Sequence, residues 1–273
     1  MTTITLDQTR ADVDNFAQPY MVHGTDISGR LVRLGSTVQN ILDVHQYPAP
    51  IAALLAEAAA LAAAMASSLK FDGKLILQTQ SDGPVNMLVA DVTTSGELRG
   101  YAQFDQAKYD ALGMHDFRSL VGKGYIAFTV DQGQHTERYQ GIVDLEGADL
   151  GECIQHYFAQ SDQVDMAVRI ASDRSTDGQW RAGAILAQRL PEIGGEGEVT
   201  DSEAAEDAWN RALAFLGSVK RDELTDSDLS ANTLLYRLFR FVVVNDQDNC
   251  EKSQYQCRVF GYGVRVRFND GRI

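Results

Sequence analysis

The stretch Leu69–Phe104, LKFDGKLILQTQSDGPVNMLVADVTTSGELRGYAQF, decides the fold. It reads as three strands in succession. Lys74–Gln80 carries Leu75, Leu77 and Thr79 on one face, and Val85–Val92 sets Val85, Met87 and Val89 against Leu88, Ala90 and Val92. Glu97–Phe104 alternates Leu98, Gly100, Ala102 and Phe104 with Arg99, Tyr101 and Gln103. Residues two apart share a strand face. Ser81-Asp82-Gly83-Pro84 and Thr93-Thr94-Ser95-Gly96 supply turn chemistry between the strands. Neither connection has room for a crossover helix, so the unit is an antiparallel meander. Apolar residues on both faces predict cover on both.

Working outward, the obvious cover is the alanine-rich run just before it, a helix over Ile51–Leu69 opened by Tyr47-Pro48-Ala49-Pro50. Alanine has the best helix propensity and lets backbones approach closely. Leu54, Leu55, Leu61 and Met65 supply bulk, which predicts a central helix lying tightly on the sheet. Upstream, Met1–Ala17 lacks periodicity and reads as a mobile arm. Tyr20–His23 and Ile27–Leu34 read as strands, and Ser36 as the N-cap of a helix carrying Val38, Ile41, Leu42 and His45. Downstream, Asp105–Leu120 is irregular or weakly helical, Gly124–Val130 and Glu137–Leu145 form a hairpin, and Asp149–Ser161 reads as a helix. Asp165–Ala171 and Trp180–Leu190 flank Asp177-Gly178, a strong hairpin signal.

At Pro191 the composition changes. Glu192–Glu206 is glycine-rich and acidic, a linker by appearance. Asp201/Ser202 then caps a helix with Trp209, Leu213 and Leu216 at three- and four-residue steps, followed by short helices at Asp222–Leu224 and Asn232–Phe239. Strand-like pieces, Phe241–Val244 and Val264–Phe268, follow. The expectation is an α+β chain: a core domain over 1–190, a linker and helical segment over 191–239, and an atypical tail over 240–273.

A net charge of −14 argues against nucleic acid and anionic membrane surfaces as partners. Met1–Asp14 is no signal peptide, and the longest apolar run, Ile51–Met65, is broken by Glu57 and reads as too short for a bilayer. Three cysteines, an odd count, point to a reducing compartment, with the cytoplasm as default. Gly122-Lys123-Gly124 resembles a phosphate loop, but the required spacing is missing and a tight turn explains it. The acidic cluster around Glu196–Asp207 reads as a solvated linker face. The five histidines lack metal-ligand spacing, and no catalytic constellation occurs. The chain is not read as an enzyme.

Eight fragments then recur in the order and spacing of a known family. They are Tyr47-Pro48-x-Pro50, Leu69-Lys70-Phe71-Asp72-Gly73, Asp82-Gly83-Pro84, Leu98-Arg99-Gly100-Tyr101-Ala102, Gly122-x-Gly124-Tyr125, Arg138-Tyr139-Gln140-Gly141-Ile142-Val143, Ala182-Gly183-x-x-Leu186-x-Gln188 and Leu234-Leu235-Tyr236-Arg237-Leu238-Phe239. From about Phe16 to Phe239 the chain resembles the heat-shock protein 33 family of redox-regulated bacterial holdases. The resemblance implies an α+β domain on an antiparallel sheet, a helical linker, and a zinc domain whose four cysteines, C-x-C and C-x-x-C, form disulfides under oxidant. It also implies a dimeric active form that captures unfolding clients without ATP.

This sequence departs from the pattern where the switch belongs. Arg240-Phe241 stands where the family has His-Glu, and neither cysteine motif occurs. Cys250 and Cys257 alone lie in the C-terminal region; they read as inert thiols, with a disulfide across a short hairpin or a residual redox pair as the alternatives, and a tetrahedral zinc site needs four ligands. No metal or cofactor is therefore expected. Cys153 reads as a core residue. Trp209, Leu213, Leu216, Leu234, Leu235, Tyr236, Leu238 and Phe239 have two readings. They are a plain core stripe that docks the helices on the sheet, or a reversibly docked stripe whose release bares a client-binding surface. The expected function is an ATP-independent holdase for unfolded proteins, without the family's zinc and thiol switch. The alternative is a truncated or frameshifted member with a folded core and no chaperone activity.

Overall fold

A computed structural model describes residues 14–22, 25–69, 72–132, 138–162, 164–190, 202–239, 242–244, 264–265 and 267–268. Its centre is the alanine-rich helix. After a first short helix, α1 (Ser36–Asp43), this second one, α2, runs Ala49–Ser68 with proline in its first turn. Every residue from Ile51 to Met65 except Ala53 is buried. A helix enclosed on all sides needs small side chains all round, which is why alanine dominates it. By length and hydropathy α2 would suffice to cross a membrane, so its 20 residues correct the expectation of too short a run. Its surroundings mark it as core: 78% of its apolar window is buried inside the protein.

Those surroundings are two six-stranded sheets. The first joins β1 (Asn15–Val22) and β2 (Ile27–Leu34) to β8 (Met166–Arg174) and β9 (Trp180–Arg189), in the order β1-β2-β9-β8. Two tail strands, β10 (Val242–Val244) and β11 (Val264–Arg265), both pair with β1. The second sheet contains the meander β3 (Lys74–Ser81), β4 (Val85–Thr93) and β5 (Glu97–Phe104), extended by β6 (Gly124–Asp131) and β7 (Tyr139–Asp144). At its other edge β12 (Arg267–Phe268) runs parallel to β5, against antiparallel pairing elsewhere. Beyond β12 the β5 edge is covered differently, since the Ala102 N–H donates to Tyr47 Oη at 3.0 Å.

The inner faces of both sheets pack on α2 in one core. From the meander come Leu75, Leu77, Leu88, Ala90, Val92 and Leu98; from the first sheet, Val32, Leu34, Ile170, Ala184 and Leu186. A bulge between Val85 and Met87 turns Val85 inward with Leu88. Gly100 lies under α1 and α2, where a Cβ would come within 3.0 Å of Ile41 and 3.3 Å of Leu55. Among the described residues the meander's outer face has no covering layer, contrary to the expectation of cover on both sides. Tyr101, Tyr125 and Ile142 stand exposed there, with the Asp91–Arg99 ion pair.

Small differences from the sequence reading have local causes. β1 begins at Asn15, so the arm ends earlier than Ala17. Ser36 does not cap α1; Asn15 Oδ1 accepts from the Gly35 and Thr37 N–H groups instead. Asp105–Leu120 contains two short helices, α3 (Gln106–Asp110) and α4 (Phe117–Val121), capped by Asp105 and Asp116. The helix after Asp149 is α5 (Leu150–Tyr157), closed by a π turn over Phe158–Asp162.

Candidate functional site

The outer face of the first sheet carries Tyr20, Ile27, Leu31, Ala171, Ile185 and Ala187, all buried. What buries them is a layer of three helices: α6 (Ser202–Gly217), α7 (Arg221–Thr225) and α8 (Ala231–Phe239). α6 lays Ala208, Trp209, Ala212 and Leu216 on the sheet at helical spacing, and α8 lays down Leu234, Leu235, Leu238 and Phe239. The Phe239 ring stacks on Tyr20 at 5.3 Å between centroids.

Six of the eight residues singled out in the sequence meet here: Trp209, Leu216, Leu234, Leu235, Leu238 and Phe239. Leu213 and Tyr236 do not; they are 39% and 66% exposed. Trp209, Ala212 and Leu216 define the buried stripe of α6, and Leu213 falls on its margin, while Tyr236 lies on the far side of α8. The layer is therefore apolar beneath, with Leu213, Phe215 and Tyr236 facing solvent.

Polar contacts fasten this layer, and few of them leave a mark in the order of residues. Arg33, 4% exposed, projects from β2 into the layer. Its Nη2 donates to the Glu223 carbonyl at 2.9 Å and its Nη1 to the Leu229 carbonyl, in the turn before α8. Its Nε has no partner. Burial pulls the Arg33 pKa down, and Asp226 and Asp14 oppose that. On the other side, Arg221 reaches through to Glu57 of α2 at 2.6 Å, where Ser172 Oγ also donates to that carboxylate at 3.3 Å. Burial raises the Glu57 pKa, opposed by Arg221 and Ser172. At the rim, Arg189 pairs with Glu206 of α6 as well as with Asp26 and Asp165, and Gln18 donates to Asn232. Glu223 closes the set with an ion pair to Arg237 at 2.6 Å.

Gly183 lets the layer come this close. A Cβ there would stand 2.4 Å from the carbonyl oxygen of Leu224, the buried residue of α7. The sequence offered that signal in the Ala182-Gly183-x-x-Leu186 fragment. Arg33 left none, because a strand arginine reads as solvent-facing by residue type alone.

With this geometry in hand, likeness to known proteins can be weighed. The family model described as Hsp33 protein matches residues 15–259. The chain belongs to the Hsp33 family. The match extends 20 residues beyond Phe239, into the tail. A 33 kDa chaperonin of Caulobacter vibrioides is 42% identical over 234 residues, covering 83% of this chain and 76% of the relative. One from Ectopseudomonas mendocina is 36% identical over 245 residues, covering 90% and 78%. The crystal structure of the Hsp33 homologue from Thermotoga maritima superposes with a TM-score of 0.69 over 95% of this chain and 81% of that one. At 18% identity that likeness concerns the fold, which is the mixed α+β architecture expected from the sequence. Hsp33 is a family of chaperones and not of enzymes.

The zinc that the Hsp33 resemblance implies does not fit the donor set of this chain. Of three cysteines, Cys153 lies wholly buried in α5, its thiol pushed up to about 12 by burial and by Asp149 and Glu152. Cys250 and Cys257 fall outside the described residues. Among the described residues no group of three or more His, Cys, Asp or Glu side chains converges on a metal position.

Proposed function

We propose that the chain is an ATP-independent holdase that captures unfolding proteins when α6, α7 and α8 lift from the first sheet. The observation that carries this reading is the layer itself. Among the described residues, the sheet face lined by Tyr20, Ile27, Leu31 and Ile185 is covered by helices that follow the glycine-rich stretch 191–201 in sequence. Lifting them bares apolar surface on both sides of the seam, on the sheet and on the stripe through Trp209, Leu216, Leu234, Leu235, Leu238 and Phe239. A contiguous apolar surface is what capture of an unfolding client needs. Leu213 and Tyr236, already outside, extend the stripe once the helices are free.

The trigger differs from that of the wider family. The sequence carries neither C-x-C nor C-x-x-C to hold a zinc and sense oxidant, and Cys153 is buried with its pKa far above neutrality. Release is thermal, governed by the balance between burial of these side chains and the entropy of ordering the segment. Light scattering of a heat-aggregating client tests both parts. Protection should appear on heating and stay the same within error after peroxide treatment. A several-fold gain on oxidation refutes the thermal trigger. The missing cysteine motifs also favour a second reading, an Hsp33 fold without activity, and no protection at any temperature below core unfolding would establish it.

A further inference from the structure

The face that α6, α7 and α8 cover is apolar at its centre, yet it also gathers arginines in a chain whose net charge is −14. Register places them. Arg33 lies opposite Gly183, Arg169 opposite Ile185 and Arg189 opposite Ile27, so all three share the outer face with the buried apolar side chains. Each meets an electron-rich part of the layer. Arg33 holds the Glu223 and Leu229 carbonyls, and Arg189 holds the Glu206 carboxylate. Arg169 lies at the C-terminal end of α6, where a Cβ on Gly217 would stand 3.7 Å from its Nη2. A helix C-terminus carries partial negative charge. Residues 202–239 themselves hold seven acids against four bases, which suits the face they cover.

The consequence differs among the three. When the layer lifts, Arg189 keeps Asp26 and Asp165. Arg33 keeps no hydrogen bond: both its bonds are to the layer, and the one carboxylate outside the layer that acts on it, Asp14, is ion-paired with Arg181. A bared guanidinium amid apolar surface gains most from a partner that brings both an apolar stripe and an acceptor, since charge-assisted hydrogen bonds are the strong ones. At physiological salt, charges beyond about 8 Å are screened. The distant acids of the molecule are then screened, and among the three arginines it is Arg33 that loses its hydrogen-bond acceptors when the layer lifts.

Building on the holdase reading, we infer that the bared face selects amphipathic client segments whose apolar stripe is flanked by Asp or Glu, with Arg33 as the residue that sets this preference. The helical layer is the intramolecular version of such a segment. The occupant is thus a polypeptide of defined pattern and not any hydrophobic chain.

The test uses the full chain, heated to the temperature at which it protects a client, and two labelled peptides with one amphipathic apolar stripe. One carries Glu at the flanking positions and the other Lys. Anisotropy titrations should give at least fivefold tighter binding of the Glu peptide. In Arg33→Met, which keeps the apolar stem, the two peptides should bind alike when titrated at the temperature at which that variant itself releases the layer. Equal binding of both peptides by the unaltered chain, or an undiminished preference in Arg33→Met, overturns the inference and leaves the holdase reading standing. Failure of both peptides to bind, with no client protection, overturns the two together.

Discussion

Alanine at position 183 separates docking of the helical layer from folding of the core. The Cβ it adds points away from α2, and would stand 2.4 Å from the Leu224 carbonyl oxygen and 3.0 Å from its carbonyl carbon and Cβ. The carbonyl atoms are backbone and no rotamer change relieves the clash, so α7 must retreat by about 1 Å to reach ordinary contact distance. That movement loosens the Leu224 packing and stretches the Arg33 bond to the Glu223 carbonyl. Overpacking of this kind costs about 1–3 kcal/mol, or about 5- to 150-fold in the docking equilibrium at 1.4 kcal/mol per decade. Within β9 itself alanine is no worse than glycine, because glycine gives up more chain entropy on folding. Strand pairing to β2 and β8 is left intact. Hydrogen exchange should therefore quicken across 202–239 while β2, β4 and β9 keep their protection, and client protection should appear at a temperature where the unaltered chain is inert. Unchanged exchange across 202–239 would show that this close contact does not fasten the layer. Equal loss of protection in the layer and the strands would show one cooperative unit with no separate docking step.

Trp209→Ala should lower thermal stability by about 3–5 kcal/mol if the layer unfolds with the core, whereas Leu213→Ala and Tyr236→Ser should stay within about 0.5 kcal/mol; equal effects from all three would contradict the placement of the stripe. Glu57→Gln should alter the pH dependence of stability. A carboxyl with a raised pKa in the folded chain costs stability when ionised, so its contribution grows more favourable as pH falls from neutrality through the folded pKa toward the ordinary carboxylate value. The stability difference between the unaltered chain and Glu57→Gln should therefore change over that window, and urea midpoints with a pH-independent gap would sink the assignment. Cys153 should resist alkylation in the folded chain at pH 8 and react fully only in denaturant; prompt labelling of a Cys250→Ser/Cys257→Ser protein would place its thiol elsewhere than the core.

The meander was legible because every signal that fixes it is local. β5 has the bounds expected from its alternation, and β3 and β4 each run one residue further. The sequence places a strand at Tyr20–His23, whereas β1 begins at Asn15 and carries Pro19 inside it. In the fold Pro19 falls between the stretches of β1 paired with β11, at Phe16 and Ala17, and with β10, from Tyr20 to Val22. A missing N–H is tolerated there. The first sheet left no such trace, because it is made by pairing β2 with β9, roughly 150 residues apart, and periodicity within either strand does not name its partner.

The site was half legible for a related reason. An apolar stripe at helical spacing announces that a helix face is buried, and so six of eight residues were placed in the contact. It does not announce what holds the face down. Glu57 broke an alanine run and looked like an interruption, yet it anchors Arg221 from across the sheet. Arg33 bonds to main-chain carbonyls, which every residue possesses, so no acceptor residue type marks its partners in the sequence. Gly183 acts by having no side chain at all. Apolar burial makes docking of the layer favourable, and these three residues set how firmly it docks. Substitutions at them should therefore shift the temperature of release more than the stability of the strands beneath.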